Sequence, residues 1–356
     1  MADPIYRLYS SEDLPSLLSL FLSAFGEPRD VCQWRWEYLD CRQESIIVIA
    51  EIEGKVVGHY AILSRPIRVG HSDMKAGLVV DVMTHSDFRR RGIFVQSAIN
   101  AFRFAEEANL TFLIGFPNEA AIRGHREVGW TELGSIRLLV RPLRISGLLK
   151  TSERSIPIPS FLSRMIDKLL VAFSDYTSNS ITDEHEISWV SAEEMFKLDS
   201  ELEEFIHDTL KSFHIVNMRN IDWLKWRLSE PGCPHHIVII RDKEKKMRGL
   251  AVLKIKTIRN IKTGTILDLL IPNGDGLVTK KILRELIRKA ASEDCELCMM
   301  LKNPASRRTF PSLSVMMFPT QKKLRFIIRA IGDKRLSDST LELHNWYLDL
   351  IDHDVF

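Results

Sequence analysis

The apolar and polar positions of this 356-residue chain trace one pattern twice. In the first copy, Trp34-Arg35-Trp36-Glu37-Tyr38-Leu39 precedes an apolar run at 46–50, a turn at Glu53-Gly54 and a second run at 55–63. Two β-rich runs joined by a short glycine-containing turn predict a hairpin. In the second copy, Trp223-Leu224-Lys225-Trp226-Arg227-Leu228 precedes runs at 236–240 and 247–253, joined by a charged turn at 242–246. Gly58 and Gly249 take matching places, as do Asp81, within 79–83, and Asp268, within 266–270. Each copy continues into a segment of helical period, 93–108 or 277–291, and then into another strand, 111–116 or 296–301. Residues 5–25 likewise resemble 187–210, a strand followed by a helix rich in acids and leucines. An internal repeat of this length predicts two domains of the same architecture.

Between the copies lies a joining segment at 146–182, punctuated by Pro157 and Pro159. Residues 161–170 within it have helical periodicity, and 174–182 read as a polar loop. The polar face of this amphipathic helix is not strongly basic, so packing between domains is expected and a membrane-surface role is not. The apolar end of the chain, 346–356, is expected to dock as a strand.

Composition narrows the class. At 45% hydrophobic and 27% charged, the chain is that of a globular protein, and a net charge of +2 gives no global polycation for nucleic acid. No apolar run reaches bilayer length and the opening Met-Ala-Asp-Pro is no signal peptide, so a cytoplasmic location is expected. The five cysteines are odd in number, and Cys295-Glu296-Leu297-Cys298 leads into the apolar Met299-Met300-Leu301 with no second pair nearby. Buried, inert thiols are expected there, with no metal site.

The chemistry concentrates at Phe88-Arg89-Arg90-Arg91-Gly92-Ile93-Phe94, between the apolar run 78–83 and the helix from Ile93. A strand, a basic glycine-bearing turn and a helix N-terminus together direct N–H groups and the positive end of the helix dipole at one spot. Arginines add charge-assisted hydrogen bonds to phosphate, and Gly92 lets a ligand approach the backbone. The competing reading is a solvated basic turn. The second copy has Asn273-Gly274-Asp275-Gly276 at this place, where an aspartate repels phosphate. Only the first copy is therefore expected to bind an anion.

After the helix, the first copy reads Gly115-Phe116-Pro117-Asn118-Glu119-Ala120-Ala121-Ile122-Arg123-Gly124-His125-Arg126-Glu127-Val128-Gly129-Trp130. Here the chain resembles the GNAT acetyltransferase superfamily. Arg89, Gly92 and Phe94 follow the spacing of its phosphate-loop motif, and Asn118, Ala121, His125, Gly129 and Trp130 follow that of its later motif. The bulky Phe94, in place of a small residue, resembles the tandem-GNAT branch that includes the enhanced-intracellular-survival acetyltransferases. The resemblance implies two α/β (α+β) domains, at 1–145 and 183–356, each a mixed, mostly antiparallel sheet flanked by helices. The second would be a degenerate copy. It also implies acetyl-CoA or another acyl-CoA as co-substrate, held between splayed strands. Carried over by position, Val82, Met83 and Thr84 would offer backbone groups to the pantetheine arm. Arg89, Arg90, Arg91, Gly92, Ile93 and Phe94 would cradle the pyrophosphate, with Asn118 beside it.

The reaction implied is direct attack by an amine of a small molecule or peptide on the thioester. His125 replaces the tyrosine that usually protonates the thiolate; an imidazole can do so, or can serve local structure. Asp81 is a candidate base, although the matching Asp268 suits a shared structural hydrogen bond. Phe356 could supply a terminal carboxylate as base, as in some tandem members, or could simply pack. His59, His85 and Glu51 are further titratable candidates near the hairpin and loop. Two other functions stay open: an acyl-CoA-binding sensor or scaffold without catalysis, and transfer from an aminoacyl-tRNA donor.

Overall fold

A computed structural model describes residues 2–41, 44–144, 185–258, 260–305 and 316–353. The joining segment expected at 146–182 and the terminal Phe356 lie outside the described residues. The first copy forms β1 (Ile5–Leu8), α1 (Leu14–Phe25), α2 (Val31–Tyr38), β2 (Ser45–Ile52), β3 (Lys55–Val69), β4 (Ser72–Thr84), α3 (Ile93–Glu107), β5 (Phe112–Gly115), α4 (Ile122–Glu127) and β6 (Thr131–Pro142). The second forms β7 (Glu186–Val190), α5 (Ala192–Phe196), α6 (Asp199–Leu210), β8 (Ile215–Asn217), α7 (Ile221–Leu228), β9 (His235–Arg241), β10 (Met247–Ile258), β11 (Ile261–Leu270), α8 (Gly276–Ser292), β12 (Leu297–Leu301) and β13 (Phe318–Ala330).

These elements assemble into two compact units that do not follow the linear division at 1–145 and 183–356. One gathers Met1–Ser135, His214–Met218 and Leu324–Trp346; the other gathers Ile136–Phe213, Arg219–Lys323 and Tyr347–Phe356. In the first unit the strand order is β1-β2-β3-β4-β5-β13, antiparallel except for the parallel β4/β5 pair. In the second it is β6-β12-β11-β10-β9-β7, antiparallel except for β11/β12. Each copy thus ends its sheet with a strand drawn from the other part of the chain. Partner choice is settled by which sheet edge a strand reaches, and neither β6 nor β13 carries a local signal of that edge.

Local chemistry explains the elements. Glu53 and Gly54 both adopt positive φ, of 50° and 78°, which gives the two-residue turn closing the β2/β3 hairpin at Ile52 and Lys55. Helix α3 buries Ala98, Ala101 and Ala105 on one stripe, and these small side chains bring it close onto Val48, Tyr60 and Ile62 of the sheet. On the same face a Cβ at Gly58 would stand 2.6 Å from Ile93, so the strand must be bare there. In the second unit α8 sets Val278, Ile282, Leu286 and Ala290 against Val238, Ala251 and Leu253. Cys295 and Cys298 are buried, and burial pushes their thiols up to about 11 and about 12, while Cys32 is exposed.

The docked strand expected at the chain's end is mostly not a strand. Among its described residues only Trp346–Tyr347 forms a strand; Leu350–Asp352 turns into one short helical turn. Buried arginines dictate this course. Arg227 Nε donates to the Ile351 carbonyl at 3.2 Å and its Nη2 to that of His353 at 3.0 Å. Arg219 holds Asp352 at 2.9 Å and Asp268 at 2.7 Å. Among the described residues, no helix is long and apolar enough to cross a membrane.

Candidate functional site

The basic turn opens directly from β4. Residues Ser86–Phe88 make a short helical turn, Arg90 adopts φ of +63°, and Gly92, at +74°, is the N-cap of α3. A glycine suits that φ, and its α-carbon faces open space: a Cβ there would meet nothing within 4 Å. No side chain caps the helix, and among the described residues the backbone N–H groups from Arg90 to Val95 donate no hydrogen bond. Arg89, Arg90 and Arg91 are exposed and make no ion pair among the described residues, and Arg91 lies over the Phe88 ring at 5.4 Å. Three cations and a run of unanswered N–H groups at one helix end fit an anionic group such as a pyrophosphate.

The second copy fills the same place itself. Asp275 caps α8, accepting hydrogen bonds from Leu277 N at 2.9 Å and Val278 N at 3.2 Å. Its carboxylate satisfies the N–H groups that a phosphate would need, beyond the repulsion expected from its charge.

Beside the turn, β4 and β5 part. They pair only from Gly77, Leu78 and Val79 to Leu113, Ile114 and Gly115, although β4 runs on to Thr84. Val82 and Thr84 are half-buried and Met83 is buried along the stretch of β4 that has left β5. Beyond β5, Asn118 is exposed in the turn before α4, its Oδ1 accepting from Ala121 N at 2.9 Å.

Asp81 sits on a bulge of that free stretch. Register between β3 and β4 slips between His59, opposite Met83, and Ala61, opposite Val80, and Asp81 takes φ of +45°. The residue is only partly buried, and its carboxylate accepts a hydrogen bond from Tyr38 Oη at 2.6 Å. Its carbonyl lies 2.6 Å from His59 Nδ1; a carbonyl only accepts, so Nδ1 carries the proton. His59 is fully buried, and desolvation pushes its pKa down to about 4, so the ring is neutral at pH 7. Burial, then the Asp81 and Glu37 carboxylates, hold the Tyr38 phenol well above its ordinary value. Arg29 pairs with the buried Glu37 beside it.

His125, on α4, lies in an aromatic cage. Its ring is 5.1 Å from Trp130, 5.2 Å from Phe94 and 6.3 Å from Tyr60, centroid to centroid. Only 3% of the residue is exposed, and desolvation pushes its pKa to about 4. The bulky Phe94 ring also occupies the space over Gly124, where a Cβ would stand 2.6 Å from it. Of the other candidates, Glu51 is engaged by Arg7 at 2.6 Å, and His85 caps the turn before Arg89 while its Nε2 lies 3.1 Å from Lys55 Nζ.

Residues 5–132 match the family model of the acetyltransferase (GNAT) domain. No curated protein matches the chain in sequence. Its fold is that of several solved structures. A protein from Enterococcus faecalis described as a probable N-acyltransferase is 10% identical, with a TM-score of 0.61 over 93% of this chain and 73% of that one. A GCN5-related N-acetyltransferase from Anabaena variabilis is 14% identical, with a TM-score of 0.61 over the same shares. The N-myristoyltransferase of Saccharomyces cerevisiae, solved with bound myristoyl-CoA, is 9% identical, with a TM-score of 0.63 over 94% of this chain and 80% of that one. The matched segment of the chain contains the basic turn, the parted strands and α4.

Two long-range contacts escaped sequence reasoning. Tyr38 reaches Asp81 across 43 positions, and Arg219 reaches Asp268 across 49, so neither pairing has a local signature.

Proposed function

We propose that the protein is an acyl-CoA-dependent N-acyltransferase, transferring an acyl group, acetyl in the simplest case, to an amine of a small molecule or peptide. The uncapped N-terminus of α3, ringed by Arg89, Arg90 and Arg91, carries this reading. The same position in the second copy is closed by its own aspartate, so the open end is specific to one unit. The thioester supplies the activated acyl carbon. The amine lone pair forms the C–N bond, the C–S pair leaves with sulfur, and the amine's surplus proton passes to a base. Asp81 is the base in this reading: it is half-buried, lies on the stretch of β4 that has left β5, and is held by its side chain and its carbonyl. The Phe356 carboxylate is the rival. Backbone groups of Val82, Met83 and Thr84 face the pantetheine arm, the segment from Arg89 to Phe94 holds the pyrophosphate, and Asn118 flanks it.

Acetyl-CoA calorimetry tests the cradle. Gly92→Glu puts bulk and negative charge at the helix end and is expected to abolish binding; unchanged affinity removes the basis of the reading. Free-thiol release with an amine panel then tests chemistry. Asp81→Asn and deletion of Phe356 separate the two bases: the true one loses turnover while acetyl-CoA affinity stays.

The burial of His125 favours a second reading. At neutral pH its imidazole has no acidic proton to give, which suits a binding module that senses acyl-CoA without consuming it. Tight acetyl-CoA binding with no thiol release from any amine supports that module. Loss of turnover without loss of binding in His125→Ala supports a catalytic His125.

A further inference from the structure

We infer that Tyr38 is a positioning residue: its phenol fixes the Asp81 carboxylate at the bulge of β4 for taking the proton of the acceptor amine. This rests on the reading of Asp81 as the base. Four observations converge on it. The 2.6 Å contact from Tyr38 Oη to Asp81 Oδ2 is the length of a strong hydrogen bond to an ionised acceptor. The phenol can only donate there, because burial and the nearby carboxylates keep it protonated. Tyr38 itself is fixed: it ends α2, packs on Trp34 at 5.1 Å and stands edge-on to His59 at 5.9 Å. His59 in turn donates Nδ1–H to the Asp81 carbonyl, so main chain and side chain of one left-handed residue are held from two directions. A residue held at positive φ is strained, and other contacts must offset that strain.

The second copy shows the contrast. Asp268 takes the matching place, beside another register slip, but receives the Arg219 guanidinium and is 1% exposed. A carboxylate so enclosed serves structure. Asp81 is only partly buried, with the phenol on Oδ2. Charged and titratable groups near it among the described residues include Tyr38, Glu37 and Arg29 from α2 and the segment before it, and His59 from β3; α1 contributes the apolar Phe21, 5.8 Å from His59.

A hydrogen bond donated to an ionised carboxylate favours that form over the protonated one, so removing the phenol is expected to favour protonation of Asp81. The test is a 13Cγ-aspartate NMR titration of the whole protein, the Asp81 resonance being assigned by its loss in Asp81→Asn. In Tyr38→Phe its midpoint is expected to rise by about one pH unit. With 3-fluorotyrosine at position 38, a more acidic donor, the midpoint is expected to fall; this one-atom change decides the matter if Tyr38→Phe does not fold. An unmoved midpoint in both overturns the inference. Thiol release from acetyl-CoA with spermidine, glucosamine and a lysine peptide as amine probes tests the base separately. Inactive Asp81→Asn with an unmoved midpoint leaves the base and removes Tyr38. An active Asp81→Asn, or no turnover by the unaltered protein with any probe, removes the base and Tyr38's part in transfer, whatever the midpoint does.

Discussion

The contact between Phe94 and Gly124 predicts a reversal of sign. Gly124 lies inside α4, where alanine normally stabilises a helix by about 1 kcal/mol over glycine. Here the new methyl would stand 2.6, 2.8 and 2.9 Å from three atoms of the Phe94 ring. That ring is hemmed in by His125, at 5.2 Å, and Tyr60, at 6.3 Å, so it has little room to turn away. Overpacking of this kind costs about 1–3 kcal/mol. Gly124→Ala is therefore expected to be destabilising by up to about 2 kcal/mol net in the natural background. In a Phe94→Ala background the obstruction is gone, and the same change should stabilise by up to about 1 kcal/mol. The coupling read from the four proteins of this cycle is about 1–3 kcal/mol, measured by urea denaturation. A stabilising Gly124→Ala in the natural background, or additivity across the cycle, refutes the packing. If the turn binds acyl-CoA as proposed, the pair also bears on that binding, since Phe94 is the last residue of the basic turn: a turn displaced by Gly124→Ala should weaken acetyl-CoA binding, and Phe94→Ala should relieve that loss.

Two other perturbations follow from buried charge. His59, His125 and His235 are each pushed by burial to about 4, against about 6.5 in an unfolded chain. Between those values the unfolded chain binds protons that the native rings refuse, so stability is full above pH 6.5 and falls as pH drops towards 4. Each ring contributes at most about 3 kcal/mol to that fall. Urea midpoints should decline over this window, and His125→Phe should shrink the decline; a flat profile from pH 7 to 5 counts against neutral buried rings. Arg219→Met leaves Asp268 and Asp352 without their shared guanidinium and should cost about 3–5 kcal/mol by urea denaturation, partly restored by adding Asp268→Asn. No loss would mean the cation matters little to that core.

The legible parts of the molecule are those whose physics is local. The hairpin turn at Glu53-Gly54, the helical period of α3 and the glycine at the start of that helix are each specified within a few residues. The basic turn was legible for the same reason. What Asp275 does was half legible: its charge could be read, but not that it occupies the N–H groups of α8. The environment of His125 was not, because Tyr60, Phe94 and Trp130 converge on it from β3, α3 and the residue before β6. Burial, which sets the protonation of that imidazole, is a property of the assembled core. The partners of β6 and β13 were hidden too, since any strand of suitable pattern can complete either edge.

The origin of the last strand of the first unit has a consequence for how the chain acquires its structure. Ile327 and Ile328 pair with Gly115 and Ile114, so the edge of β5 waits for residues made roughly 200 positions later. During synthesis the parted strands and the basic turn emerge early, yet the sheet that supports them stays open on one side until β13 has been made. An unpaired apolar edge exposed for that long invites wrong partners, including the same edge on another nascent chain. A fragment ending near residue 145 would therefore keep every residue of the basic turn and still present β5 bare, and its failure would be one of folding rather than of ligand chemistry.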